Sequence, residues 1–360
     1  MKILHLDFDD LESPLAGGQA VRTFEINRRL VQMGHQVTVI TLNYPGAKPQ
    51  IKSGIRYLRS GTKKSPLNFF SYFLTLPFLL RKNSFDLVVE DNIPPFTFGL
   101  SPLYTKKPVI AQIQSFGAKY ASQKYKIPFH LAEKNNAKLY KNFIVLTNNM
   151  KEKIHALNSV AQIAVIPNGI NSIQTIHPTE KNYLLFLGRI SWFTKGLDYL
   201  LQTMAILQKK APQRKLIIAG KGPDEKKLVH IIKKKHLTNT ESIGFVKGKP
   251  KDQILSECLM LLQPSRHETF GLSILEAASF GKPSVCFDIE NLKENMAKEI
   301  GVATPAFNIE KYAAAILELI NDEKKRRHLG INAHEWSKNY LWDNIAKTQE
   351  NFYRQAITQN

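Results

Sequence analysis

A chain of 360 residues exceeds the roughly 250–300 residues at which one hydrophobic core stops growing, and 43% apolar content is enough for two domains of similar size. Fifty Lys and Arg against thirty Asp and Glu leave +20, which points to an anionic partner: phosphorylated ligand, acidic membrane surface or nucleic acid. Cys258 and Cys286 stand far apart in apolar surroundings without CxxC spacing, which argues against a disulfide framework or zinc site and for two reduced core residues in a cytoplasmic protein.

The opening "MKILHLDFDD" breaks into acidic residues after a short apolar run, so no signal peptide is expected. Strands are predicted at "KILHLDF", "QVTVITL", "GIRYLR", "DLVVE", "PVIAQIQ" and "NFIVLTN", with helices over Gln19–Met33, Asn68–Lys82, Phe129–Tyr140 and Asn149–Leu157. Gly17 and Gly18 precede the first helix in "PLAGGQAVRT"; this is not GxGxxG, but it lets backbone approach a phosphate.

Residues 1–165 hold 22 Lys and Arg against 10 Asp and Glu, +12 of the total. No acidic residue falls between Glu25 and Asp86, whereas ten basic ones do. The same stretch holds "PLNFFSYFLTLPFLL", whose 15 residues are fewer than the roughly 18–20 needed to cross a bilayer. Phe69, Phe70, Tyr72, Phe73 and Phe78 beside Lys63, Lys64, Arg81 and Lys82 suit a helix lying in an anionic membrane interface, so residues 63–82 are the expected membrane contact. A core helix with basic flanks is the alternative. Nucleic acid is not expected as a partner, because neither an RNA-binding sheet signature nor zinc-finger spacing accompanies the charge.

"AVIPNGI" is a short strand entering a Pro-Asn-Gly turn, and the pattern then restarts, so the domain boundary is expected near residues 165–180. "YLLFLGRI", "RKLIIAGKG", "ESIGFV", "LMLLQPS" and "PSVCFDI" read as buried strands, alternating with helices over Leu197–Lys209, Asp224–His236, Asp252–Cys258 and Leu272–Ser279. "LWDNIAKTQENFYRQA" reads as a long final helix. Ligands of two such doubly wound domains bind at the carboxyl ends of the strands.

The motifs that carry chemistry lie at those strand ends. In "PSRHETFGLSILEA", Glu268 sits in the loop after a strand and Glu276 on the first or second turn of the next helix. Unpaired amides around Phe270, Gly271 and Leu272 suit a diphosphate, and a carboxylate on either side suits hydroxyls flanking it, which together describe a nucleotide sugar. A solvated loop glutamate and a helix-surface glutamate fit the same pattern. "GRISWFTKG" brings Arg189 and Lys195 to one loop, either as cations for a departing diphosphate or as a solvated basic turn. "IAGKGP" is another glycine-rich strand end, or a simple tight turn. His35 and His267 read as a helix-end and a loop residue.

Taken in order, "GGQAVRTFEINRRLVQMGHQVTVIT", "IPNGI", "LGRISWFTKGLDYLLQTM", "IAGKGPDEKKL", "GFVKG", "PSRHETFGLSILEAASFGKP" and the tail from "INDEKKRR" resemble the retaining glycosyltransferases of family 4, the group 1 transferases. The resemblance covers nearly the whole chain, and its E-x7-E stretch is the most specific part. It implies an α/β GT-B fold: two Rossmann-like doubly wound domains facing across a cleft, with the C-terminal helix crossing back to the N-terminal domain. Residues 1–168 would then bind the acceptor with the helix at about 341–360 packed on them, and residues 169–340 would bind the nucleotide sugar. The resemblance also implies that Arg189 and Lys195 hold the diphosphate, that Glu268 binds donor sugar hydroxyls beside the amides of Phe270, Gly271 and Leu272, and that Glu276 binds the ribose. Transfer would retain anomeric configuration without a metal or other cofactor, the leaving phosphate helping to deprotonate the acceptor.

This chain departs from the pattern twice. "PVIAQIQSFG" has Gln112 and Gln114 where many members have a His; Gln114 can hydrogen-bond a sugar hydroxyl but cannot titrate near neutral pH. "ENLKEN", Glu290 to Asn295, replaces a loop that is often glycine-rich. Base contacts are expected from backbone near Phe245 and Val246. The expected function is transfer of a hexose-type sugar from a nucleotide diphosphate, UDP-sugar favoured over GDP-sugar, to a lipid-linked, polysaccharide or glycolipid acceptor by a protein peripheral on the inner face of the cell membrane. The competing readings are a catalytically weak nucleotide-sugar-binding subunit of a partner transferase, motivated by the missing His, and a phosphorylase or epimerase on the same fold.

Overall fold

The computed structural model describes all residues except 14–15, 64–66, 83, 93–99, 117–121, 123–125, 127–128, 175–179 and 297, and at 67–70, 129–130 and 132 it describes the backbone only. It divides into two units, Met1–Asn168 with Trp342–Asn360, and Gly169–Leu341. In the first, the strands are β1 Lys2–Leu6, β2 Gln36–Leu42, β3 Gln50–Lys52, β4 Ile55–Ser60, β5 Leu87–Asn92, β6 Val109–Ile113, β7 Asn142–Val145 and β8 Gln162–Val165. Its helices are α1 Gly18–Gln32, α2 Leu67–Lys82, α3 Phe129–Ala137 and α4 Asn148–Leu157. The sheet order is β3-β4-β2-β1-β5-β6-β7-β8, parallel except where the edge strand β3 pairs antiparallel with β4. Every residue of β5, β6 and β7 is buried, as expected where helices cover both faces of a parallel sheet.

The second unit has β9 Tyr183–Leu187, β10 Lys215–Ala219, β11 Thr240–Gly244, β12 Leu261–Gln263, β13 Ser284–Phe287 and β14 Gly301–Thr304. Its helices are α5 Leu197–Lys210, α6 Glu225–Lys234, α7 Lys249–Glu257, α8 Leu272–Ser279, α9 Lys293–Met296, α10 Ile309–Asn321 and α11 Glu323–Ser337. The sheet is parallel throughout, in the order β11-β10-β9-β12-β13-β14. Leu184 and Phe186 of β9 pack with Leu200 and Met204 of α5 and Ile316 of α10 in one core. In each sheet the order reverses at one strand pair, β1/β5 and β9/β12, the point at which open α/β sheets bind ligands.

The last helix, α12 Trp342–Thr358, belongs to the first unit. It buries Ile345, Ala346, Gln349, Phe352, Tyr353 and Ala356, a helical stripe, and packs on α1. Buried Arg22 of α1 donates to Gln349 at 2.8 Å, His35 Nε2 meets Glu350 at 2.9 Å, and Arg29 pairs with Asp343.

Several elements differ from expectation. Helix α7 begins at Lys249, before the predicted Asp252, because Pro250 fits the first turn, where its missing N–H costs no helical bond. Strand β11 ends at Gly244, which takes a left-handed φ of 75°, so Phe245 and Val246 lie beyond it. Strands β3 and β14 and helices α9 to α11 go beyond the elements read from periodicity. Cys258 and Cys286 are free and fully buried.

Candidate active site

At the β9/β12 switch point two loops are stitched together. Thr194 of the loop after β9 accepts backbone bonds from Arg266 at 3.1 Å and His267 at 3.3 Å, both in the loop after β12. Gly196 is held against this seam at φ +61°; a Cβ there would stand 1.9 Å from the Pro264 carbonyl oxygen, so no other residue fits without moving backbone. The seam sets Lys195 Nζ 2.6 Å from Glu268 Oε2. Gln263, fully buried at the end of β12, donates to the same oxygen at 2.7 Å. Burial alone would raise the Glu268 carboxyl, but the Lys195 ammonium and the donors from Gln263 and Thr269 outweigh it and hold it below the usual glutamate range.

Glu268 leads into α8 through Phe270 and Gly271. Phe270 is buried against Tyr340, with ring centres 5.6 Å apart, and Gly271 caps the helix in the left-handed region at φ +81°. The first turn of α8 therefore opens with amides, that of Leu272 among them, that have no partner within the helix. The segment that replaces the expected glycine-rich loop braces this turn: Asn291 donates to the Glu268 carbonyl at 2.8 Å and Asn295 to the Phe270 carbonyl at 2.9 Å. Glu276, half-buried on α8, pairs with Lys251 of α7 at 2.9 Å, so the two glutamates hold separate lysines. Arg189 is exposed at the end of β9. Val246 is half-buried beside exposed Phe245, whose ring lies 5.0 Å from Lys221 Nζ. Gln263, Lys251, Asn291 and Asn295 were not singled out from the sequence.

The first unit contains a polar network that sequence spacing did not reveal. His5 on β1, Asp7 just after it and Asp91 on β5 are all buried, their ligating atoms within 4.8 Å of one another. His5 Nε2 lies 2.7 Å from Asp91 Oδ2, and Asn27 Nδ2 lies 2.9 Å from His5 Nδ1. Thr23 donates to Asp7 at 2.6 Å, Gln19 to its other oxygen at 2.7 Å, and Gln112 and Gln114 to Asp91 at 2.7 and 3.3 Å. Such a set is capable of holding a cation, and each carboxylate oxygen also accepts from a protein donor. Burial and the neighbouring Asp91 push the Asp7 carboxyl up to about 7. Burial would lower His5, yet Asp91 and Asp7 outweigh it and its value is raised. Gln114 is buried and engaged with Asp91. Gly17 takes extended backbone at the N-cap of α1, with Gly18 exposed as its first residue.

Helix α2 exposes part of the set read in the sequence and turns the rest inward. Tyr72 is 1% exposed and Phe73 packs on Phe8 at 5.4 Å, whereas Leu74 and Phe78, one turn apart, are 74% and 71% exposed. Arg81 and Lys82 are exposed on the last turn. The neighbouring 3-10 turn, Ser101–Leu103, adds exposed Leu103 and Tyr104. Lys64 and the side chains of Phe69 and Phe70 lie outside the described residues. Among the described residues no helix is long and apolar enough to cross a membrane.

Residues 16–173 match the sequence profile "Glycosyltransferase Family 4", and residues 168–336 match "Glycosyl transferases group 1". The gpi3 subunit of phosphatidylinositol N-acetylglucosaminyltransferase from Schizosaccharomyces pombe is 23% identical, over 98% of this chain and 80% of that one. Sucrose-phosphate synthase from Thermosynechococcus elongatus superposes with a TM-score of 0.85 at 19% identity over 100% of both chains. Anabaena HepE, solved with UDP and glucose, gives 0.77 at 17% identity, over 99% of this chain and 100% of that one.

Proposed function

The chain belongs to the family 4, group 1 glycosyltransferases of GT-B fold and moves a sugar from a nucleotide-diphosphate donor to an acceptor; we propose that it does so with retained configuration, without a metal, onto a lipid-linked or glycan acceptor at a membrane surface. The observation that carries this reading is the Lys195–Glu268 pair at the β9/β12 switch point, beside the N-terminus of α8.

Each residue then has a role that its surroundings support. Lys195 and Arg189 neutralise the diphosphate and the charge that grows on it as the C1–O bond breaks; a preorganised donor of this kind contributes on the order of 3 kcal/mol to the barrier. Glu268, kept ionised by Lys195 and Gln263, accepts hydrogen bonds from sugar hydroxyls. The amides from Phe270 to Leu272 receive phosphate oxygen, and Glu276 accepts from the ribose. Val246 supplies backbone to the base. In the first unit Gly17 and Gly18 offer backbone to a donor phosphate and Gln114 a hydrogen bond to a donor sugar hydroxyl, while residues 1–168 with the last helix take the acceptor and residues 169–340 hold most of the donor. The acceptor oxygen bonds C1 on the face from which the diphosphate departs, which gives retention, and the leaving phosphate oxygen takes the hydroxyl proton. The two cations do the work of a metal ion.

A UDP-sugar is the favoured donor, in keeping with the nucleotide bound to HepE. Membrane contact through Leu74, Phe78, Arg81 and Lys82 suits a lipid-borne acceptor, and the fission-yeast relative is named for transfer to phosphatidylinositol. Such a protein sits on the inner face of the cell membrane. The test is to incubate the protein with UDP- and GDP-sugars and lipid extract, and to read the anomeric configuration of any product by NMR with and without EDTA. An inverted product, or loss of turnover in EDTA, sinks the mechanism.

A further inference from the structure

Arg266 and Asp198 form a contact that the reading of the donor site does not use. Arg266 Nη1 and Nη2 donate to the two Asp198 carboxylate oxygens at 2.8 and 2.5 Å, a parallel fork. Nη1 also donates to the Phe193 carbonyl at 3.0 Å. The guanidinium lies against two rings, with its central carbon 4.7 Å from the centre of Phe193 and 4.1 Å from that of Tyr199. Tyr199 is in turn stacked on Phe307, at 5.7 Å and 14°.

The position of this clamp matters more than its strength. Phe193 stands two residues before Lys195 and Arg266 two residues before Glu268, and the backbone bonds from Arg266 and His267 to Thr194 lie between. Asp198 is on the first turn of α5, which starts directly after Gly196. One planar side chain thus fixes both loops at the point from which Lys195 and Glu268 project. A lysine would keep the charge but lose the fork and the ring contacts. The mutual hydrogen bonding agrees with this: the fork to Asp198 raises Arg266, and in Asp198 the pull of Arg266 overcomes burial and lowers the carboxyl.

We propose that Arg266 is a positioning residue for the donor diphosphate: through its fork to Asp198 it holds Lys195 where the terminal phosphate binds, without touching the donor itself. The proposal rests on the assignment of Lys195 to the diphosphate given above.

Calorimetric titration of the full chain with UDP and with UMP, which lacks the terminal phosphate, tests it in the wild type, Arg266→Lys, Lys195→Gln and the double variant. Arg266→Lys is expected to weaken UDP about tenfold and UMP less than about twofold, and to cost no further UDP affinity once Lys195 is gone. Equal weakening of UDP and UMP, or additive losses in the double variant, would show that Arg266 merely supports the fold and would overturn the proposal. If Arg266→Lys does not fold, Asp198→Asn removes the fork with little change in volume, and the same pattern is required of it. A wild type that binds none of UDP, GDP or ADP refutes the donor-site assignment itself, and the positioning role falls with it.

Discussion

The Gln349 side-chain amide donates to the Gln112 side-chain oxygen at 3.0 Å, tying the last helix to the strand beside Asp91. Its own carbonyl accepts from Arg22, which burial lowers to about 10 and which therefore remains charged at neutral pH. Gln349→Leu removes both bonds and leaves a buried cation short of a partner. A loss of about 2–4 kcal/mol is expected in denaturant melting. An unchanged midpoint would mean that the Gln349 bonds add nothing to the hold on α12.

Stability should fall as pH rises through neutrality. Unfolded Asp7 releases its proton at about 4, the folded residue only near 7, so between these values the folded state binds more protons. Raised His5 acts in the same direction: its contribution is complete below the ordinary histidine range and is lost as pH climbs through the folded value. Between pH 5 and 8 the melting temperature is expected to drop, with a slope on the order of 1 kcal/mol per pH unit. Asp7→Asn should flatten that slope; a profile as steep as wild type would clear Asp7 of responsibility.

Removing the Lys195 ammonium reverses the balance at Glu268. In the wild type the depressed carboxyl stabilises the fold above the ordinary glutamate range, and that contribution disappears as pH falls through the folded value. In Lys195→Gln burial dominates and the carboxyl rises. The acid limb of the pH–rate profile should then move to higher pH, and kcat/KM should fall about 100-fold at neutral pH. Superimposable profiles would separate Glu268 from turnover.

Nucleoside diphosphates should raise the melting temperature, since a ligand at about 100 times its Kd adds about 2.7 kcal/mol. Glu276→Ala should weaken the effective diphosphate about tenfold through loss of the ribose contact. An undiminished shift in the variant would return Glu276 to a surface role beside Lys251.

Anionic vesicles should pull the protein down at low salt and release it as salt rises. Leu74→Ser with Phe78→Ser should abolish sedimentation without loss of melting temperature, because both side chains point outward. Tyr72→Ser, by contrast, should unfold the region and says nothing about lipid. Recovery of wild type in the supernatant whatever the vesicle content would refute membrane contact.

Both sheets were legible because strands buried on two faces read as unbroken apolar runs, whatever lies next to them. The Glu268–Glu276 stretch was legible because strand, loop and helix follow in sequence. Contacts between distant segments left no trace of that kind. His5 meets Asp91 across 86 positions, Arg266 meets Asp198 across 68, and each partner alone is an ordinary polar residue. On α2 the composition is aromatic and basic, but Pro77 and a helix apolar almost all round give no period from which to tell Tyr72 inside from Phe78 outside.

The return of α12 to the first unit also sets an order of events during synthesis. Arg22 leaves the ribosome early, yet Gln349 follows 327 positions later, after the whole of the second unit. At about 5–20 residues per second the α1 surface waits tens of seconds or more for its cover. The Gly169–Leu341 unit, continuous in sequence, is complete before the first unit can close. A nascent chain therefore carries an open apolar and cationic groove on α1 that chaperones can hold, and a stop codon before Trp342 would leave that groove open for good.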